Sequence, residues 1–120
     1  MDKINLTEKF ALFSEHWQPK IVGGVDDYDI KIAKILGDFV WHKHDDADEL
    51  FLVVDGELRM DLRDGPVALG AGEIFVVPRG VEHRPCAENE CQILMIERRG
   101  TVNTGDAQAS DYTVASPERI

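Results

Sequence analysis

From residue 20 onward, short apolar stretches alternate with breaks rich in glycine, proline and aspartate. The stretches are "KIVGGV", "YDIKIAKILGDFVWHKH", "ELFLVVDG", "ELRMDLRDG", "PVALGAGE", "IFVVPRG" and "CQILMIE". The breaks carry Gly23-Gly24, Gly37, Asp55-Gly56, Asp64-Gly65-Pro66, Gly70-Ala71-Gly72 and Pro78-Arg79-Gly80. Short strands at this spacing, punctuated by such turns, predict an all-β chain, an antiparallel barrel or sandwich. In "ELRMDLRD" the residues Leu58, Met60 and Leu62 share one face and Arg59, Asp61 and Arg63 the other, the mark of a half-buried strand. Leu50 to Val54 is apolar at every position, so both its faces should be covered, within the barrel or at a dimer interface.

Two segments lie outside this rhythm. In "INLTEKFALFSEHW", Leu6, Phe10 and Phe13 have near-helical spacing, but the segment is short enough to be an edge strand instead. After Gly100 the chain is polar and turn-rich, and residues about 100–120 are expected to form an irregular segment over the barrel or its mouth.

Length and composition narrow the picture. At 120 residues the chain is expected to be one domain, 1–120, with core enough to fold without disulfide staples. The formal net charge of −10 argues against a nucleic-acid partner and against anionic membrane surfaces, which need a cationic patch. No run approaches the roughly 20 apolar residues of a membrane span. The N-terminal "MDKINLTEKF" lacks a basic region followed by an apolar block, and a cytoplasmic location is the expectation. Cys86 and Cys91 bracket "AENE"; a hairpin there would bring them face to face, so a cross-strand disulfide and two reduced thiols are both open.

The candidate chemistry sits in "WHKHDDADELFLVVDG", residues 41–56. On a strand, His42 and His44 point to one face, roughly 7 Å apart, and can share one metal ion. Glu49 offers a carboxylate at the start of the next apolar run, with Asp45, Asp46 and Asp48 as competitors, Asp48 foremost. His83, after the "PRG" turn, could reach the pair only from a neighbouring strand. Three histidines and a carboxylate suit one divalent transition ion (iron, manganese, nickel, copper or zinc) rather than magnesium or calcium. Against this, a lone His-x-His is more often a turn feature than a ligand pair, and His83 alone more often a hydrogen-bonded structural ring. His16, in "SEHW", has no partner nearby and reads as structural.

These residues resemble the two motifs of a small single-domain cupin. The first motif is a glycine, five residues, His-x-His, three or four residues, Glu, six residues, Gly; here it runs Gly37, four residues, His42-Lys43-His44, four residues, Glu49, six residues, Gly56. The second is a glycine, five residues, Pro-x-Gly, two residues, His, three residues, Asn; here it runs Gly72-"EIFVV"-Pro78-Arg79-Gly80-"VE"-His83-"RPC"-Ala87. The spacer after Gly37 is one residue short, and Ala87 stands where the motif has Asn, a position that is not a ligand in the family. The resemblance implies an antiparallel double-stranded β-helix, a jelly-roll barrel, with His42, His44, Glu49 and His83 as metal ligands. Gly56, Gly72, Pro78 and Gly80 would be turn residues, and Lys43 would point away from the metal. A homodimer is a further implication.

Strand parity puts Phe51 and Val53 on the side of Glu49, so the cavity beside the metal should be mostly apolar. The family contains enzymes, storage proteins and sugar-binding proteins, so the fold does not settle the activity. One expectation is a metal-dependent enzyme acting on a small organic molecule, resembling a dioxygenase, a lyase or a sugar-phosphate isomerase of the mannose-6-phosphate type. The alternative is a non-catalytic metal- or small-ligand-binding module, a sensor or storage barrel. Glu49 is the only candidate acid or base. Arg79, Arg84, Arg98 and Arg99 are candidates for a phosphate clamp, but none forms a clear one, which leans away from the isomerase.

Overall fold

The computed structural model describes all 120 residues. Helix α1 (Leu6–Phe10) is followed by strands β1 (Lys20–Val25), β2 (Tyr28–Asp38), β3 (Glu49–Asp55), β4 (Glu57–Leu62), β5 (Gly65–Gly70), β6 (Ile74–Val77), β7 (His83–Arg98) and β8 (Glu118–Arg119). The ambiguous N-terminal segment is thus a helix, capped by the Asn5 side chain, which accepts from the Glu8 amide at 3.0 Å.

The strands run in the order β5-β4-β7-β2-β1-β8, with β3 pairing both β7 and β6. All pairings but the short parallel one of β8 with β1 are antiparallel. Strand β7 closes the structure. Its first residues pair with β4 (Leu62 opposite His83), and its later ones with β3 (Leu50 opposite Ile96), while β2 follows its other edge. One strand serving two neighbours on the same edge must bend, and the bend is at Glu88–Glu90: Ile35 faces Cys91 but Gly37 faces Ala87. The sheet thereby curls into a jelly-roll barrel.

Gly56, between β3 and β4, fits against this bend. Its φ is +91°, and a Cβ there would lie 3.0 Å from the Glu90 carbonyl oxygen and 3.2 Å from the Cys91 Cα. Only glycine has both the conformation and the room.

Alternation sets the interior. Phe51 and Val53 of β3 are buried beside Leu58 and Met60 of β4, Ala33 and Ile35 of β2, and Ile93 and Met95 of β7. Complete burial of such a side chain contributes roughly 1.5–3 kcal/mol, so β3 is anchored from within. On the outside, α1 brings Phe10 and Phe13 over Ile32, with Val54 and Leu94 packed alongside. Leu50 and Leu52 remain half-buried, and their β6 neighbours Ile74 and Val76 are 59% and 47% exposed. Within one chain, the outer face of the apolar run is therefore not fully covered.

Two expectations are corrected. "AENE" is not a hairpin but the bend within β7, so Cys86 and Cys91 lie along one strand, both buried and both free thiols. Burial pushes each thiol up to about 11. Strand β7 also extends well upstream of "CQILMIE", beginning at His83. The C-terminal segment has little regular structure apart from β8. No helix is long and apolar enough to cross a membrane.

Candidate metal centre

Backbone pairing brings the two motifs together. After β2 the chain continues along the start of β7, where the His42 amide donates to the His83 carbonyl (3.1 Å) and the His83 amide to the His42 carbonyl (2.9 Å). The Pro78-Arg79-Gly80 turn is fixed at the same place. The Gly80 amide donates to the His44 carbonyl (2.8 Å), and the Arg79 amide to Asp48 Oδ1 (2.9 Å). Asp48 is therefore an exposed turn anchor, not the carboxylate of the cluster.

The donor atoms of His42, His44, Glu49 and His83 all lie within 4.8 Å of one another. His42 Nδ1 and His83 Nδ1 each donate to a carbonyl two residues earlier in the chain, Val40 and Val81, at 2.9 Å. This fixes each ring and turns Nε2 into the cluster, the arrangement a metal-binding imidazole needs. Glu49 Oε1 is 3.2 Å from His83 Nε2 and 3.5 Å from His44 Nε2. His44 Nε2 is nonetheless buried without a hydrogen bond. A buried nitrogen without a partner, facing a carboxylate and two imidazoles, fits a divalent transition ion. Lys43 turns away, its ammonium 3.1 Å from Asp45.

Burial pushes the His42 imidazole down to about 4, reinforced by the neighbouring His83, so the ring is neutral at physiological pH. Beside Glu49 is an acid the motifs did not reveal. Glu97 of β7 sits directly opposite it and is 1% exposed. Burial, then the Glu49 charge, raises the Glu97 carboxyl well above the usual range. Burial would raise Glu49 too, but Glu97 and the imidazoles of His44 and His83 outweigh it and hold Glu49 well below that range. The two carboxyls are thus driven apart, Glu97 upward and Glu49 downward. Neither Glu97 oxygen has a hydrogen-bond partner. Lys31, also 1% exposed, lies 3.1 Å from Glu97 and donates to the Thr101 carbonyl at 3.3 Å.

A narrow cavity adjoins the cluster, with His42, Glu49 and Glu97 in its polar wall and Trp17, Phe39, Phe51, Ile93 and Met95 in its apolar one. Trp17 and Phe39 stack at 4.7 Å between centroids, and Phe39 meets the His42 ring edge-on at 5.4 Å. The C-terminal segment completes it: Asn103 lines the cavity, and Tyr112 packs on Phe39 and Trp17 at 5.4 and 6.0 Å. Parity in "CQILMIE" could have revealed Glu97, since it shares a face with Ile93 and Met95. Tyr112 and Asn103 left no such signal, because irregular chain has no period.

His16 is remote from the cluster, yet not unpartnered: its Nε2 is 2.8 Å from Glu90 Oε2. Three of the four candidate clamp arginines are occupied by acids. Arg84 is bound to Asp61 (2.9 Å), Arg79 lies 3.7 Å from Asp48, and Arg99 lies 3.6 Å from Asp29. Arg98 borders a separate polar cleft with Lys43 and His44.

A jelly-roll barrel with three histidines and a glutamate gathered at its inner wall defines the class. Residues 34–97 match the cupin domain family, Cupin_2, and the chain belongs to that family. It is 48% identical to a cupin-2 domain-containing protein from Shewanella frigidimarina NCIMB 400, with a TM-score of 0.79 over 80% of this chain and 94% of that one. Protein NMB1881 from Neisseria meningitidis is 37% identical, with a TM-score of 0.75 over 81% of this chain and 99% of that one. The uncharacterized protein YdbB of Bacillus subtilis (strain 168) is 38% identical over 78 residues, which span 64% of this chain and 63% of YdbB.

Proposed function

We propose that this cupin holds one divalent transition metal ion through His42, His44, Glu49 and His83, and acts as an enzyme on a small organic molecule taken into the adjoining cavity. The observation that carries this reading is the convergence of four donor atoms within 4.8 Å at the wall of a largely apolar cavity. A metal bound there would supply a Lewis acid or redox centre with positions open to a ligand.

The chain's own residues contribute the rest. Phe39, Trp17 and Phe51 exclude water and favour a ligand with an apolar body. Glu97, its carboxyl raised well above the usual range beside Glu49, is a second candidate acid. With Arg79, Arg84 and Arg99 engaged by carboxylates, a phosphorylated sugar is the less suitable substrate. Dioxygenase- or lyase-type chemistry is accordingly preferred to an isomerase. Loading the protein with Fe(II) and following oxygen consumption with small hydroxylated aromatic and aliphatic acids tests this. Metal held without turnover of any candidate would favour the alternative, a non-catalytic metal- or ligand-binding module.

A homodimer is also proposed. Ile74 and Val76, with Leu50 and Leu52 beside them, form an apolar outer face suited to burial against a second copy. A monomer by sedimentation at micromolar concentration would remove this claim.

A further inference from the structure

The C-terminal segment does more than cover the barrel mouth: it is built onto the backbone between the two clustered histidines. The Lys43 amide donates to Asp106 Oδ1 at 2.9 Å, and the Asp106 amide donates to the Lys43 carbonyl at 3.2 Å. Lys43 is thus held on both its backbone groups by one residue, as a strand neighbour would hold it. Gly105 makes the approach feasible. Its φ is +53°, and a Cβ there would overlap the Lys43 carbonyl oxygen and come within 3.1 Å of the His42 ring carbon Cδ2.

The segment that delivers Gly105 and Asp106 is itself laced together. Asn103 donates through Nδ2 to the Tyr112 carbonyl (2.7 Å) and accepts from the Val114 amide (2.8 Å). Thr104, 1% exposed, shares a hydrogen bond of 3.0 Å with Thr113. Tyr112 then leans on Phe39, whose ring abuts His42. Two independent routes, backbone and aromatic, therefore run from this segment to the imidazole pair.

We infer that Gly105 and Asp106 are positioning residues of the metal centre, clamping Lys43 so that His42 and His44 stay aimed at one ion. The inference rests on the metal reading above. Without the clamp, residues 42–44 keep their β7 pairing on one side only, and the His44 ring has no backbone hydrogen bond of its own to orient it. The clamp therefore governs how firmly the ion is held, not whether the barrel folds. Removing such an outer support of metal ligands lowers metal affinity about 10–100-fold.

The test uses the full chain loaded with Co(II), followed by its visible absorption and by the rate of extraction into EDTA. Asp106→Ala should speed extraction roughly tenfold or more and alter the Co(II) spectrum, with far-UV circular dichroism unchanged. Asp106→Asn keeps an Oδ1 acceptor for the Lys43 amide and should restore the wild-type rate and spectrum. Gly105→Ala should reproduce the Asp106→Ala behaviour by displacing the segment from Lys43. Hydrogen exchange at the Lys43 amide, protected in the metal-free wild type and exposed in Asp106→Ala, checks the contact without any metal. Normal Co(II) uptake with wild-type extraction and spectrum in Asp106→Ala and Gly105→Ala would overturn the clamp alone. Failure of the wild type to take up Co(II) would overturn the metal reading, and the clamp with it.

Discussion

Two of the three clustered imidazoles commit Nδ1 to a carbonyl two residues back, and burial keeps the His42 ring neutral down to about pH 4. An unfolded His42 would titrate near 6.5, so between these values the unfolded chain binds the proton that the folded one refuses. Its contribution is thus fully present above pH 6.5 and is lost as pH falls toward 4, by roughly 3 kcal/mol. Urea titrations of metal-free protein should show stability falling over this range more steeply in wild type than in His42→Asn; equal slopes would refute the assignment. Glu97 makes a second prediction at this scale. Glu97→Gln keeps the size and polarity of the side chain between Glu49 and Lys31, so it should be no less stable than wild type at pH 7. Glu97→Ala leaves a hole between Glu49 and Lys31 in the interior and should lower the urea midpoint below that of Glu97→Gln. His42, His44, Glu49 and His83 were legible as residues because motif spacing names them; the choice of Glu49 over Asp48 needed the turn that Asp48 anchors.

Among the elements, β7 determines the most. It pairs with β4 and β3 in succession, and Gly56 packs into the bend that this requires. Gly56→Ala should destabilise the barrel by about 1–3 kcal/mol, read from the urea midpoint, because the new methyl meets backbone atoms that cannot rotate away. A neutral effect would mean that the bend is not a fixed feature. The strands from "KIVGGV" to "IFVVPRG" were legible because alternation and turn residues coincide in them. Of strand β7 only the half in "CQILMIE" was, since Pro85 and the polar "AENE" interrupt its pattern and imitate a turn. Only a partner on each side shows that the chain continues through the bend as one strand.

For the whole molecule, the apolar cavity and the metal cluster face inward, while Ile74 and Val76 present an apolar surface outward. Sedimentation should find a dimer, and Val76→Glu, which places a charge on that face, should shift it to monomer while leaving metal uptake intact. The strand rhythm left barrel and sandwich open, and the resemblance of the two motifs pointed to the barrel. Its closure over the cavity was not legible, because it is made by Asn103, Gly105 and Tyr112, which lie in a segment without periodicity and act through single contacts. The cavity's chemistry is therefore a property of the assembled chain, although half of its polar wall is written in residues 41–56.

The central claim is that His42, His44, Glu49 and His83 hold one ion. Metal content of the purified protein, compared with that of the His42→Ala/His44→Ala variant, addresses it most directly. About one transition metal ion per wild-type chain is expected, and close to none in the variant, with far-UV circular dichroism nearly unchanged. Full occupancy in the variant, or a wild-type chain that takes up no transition metal, would contradict it.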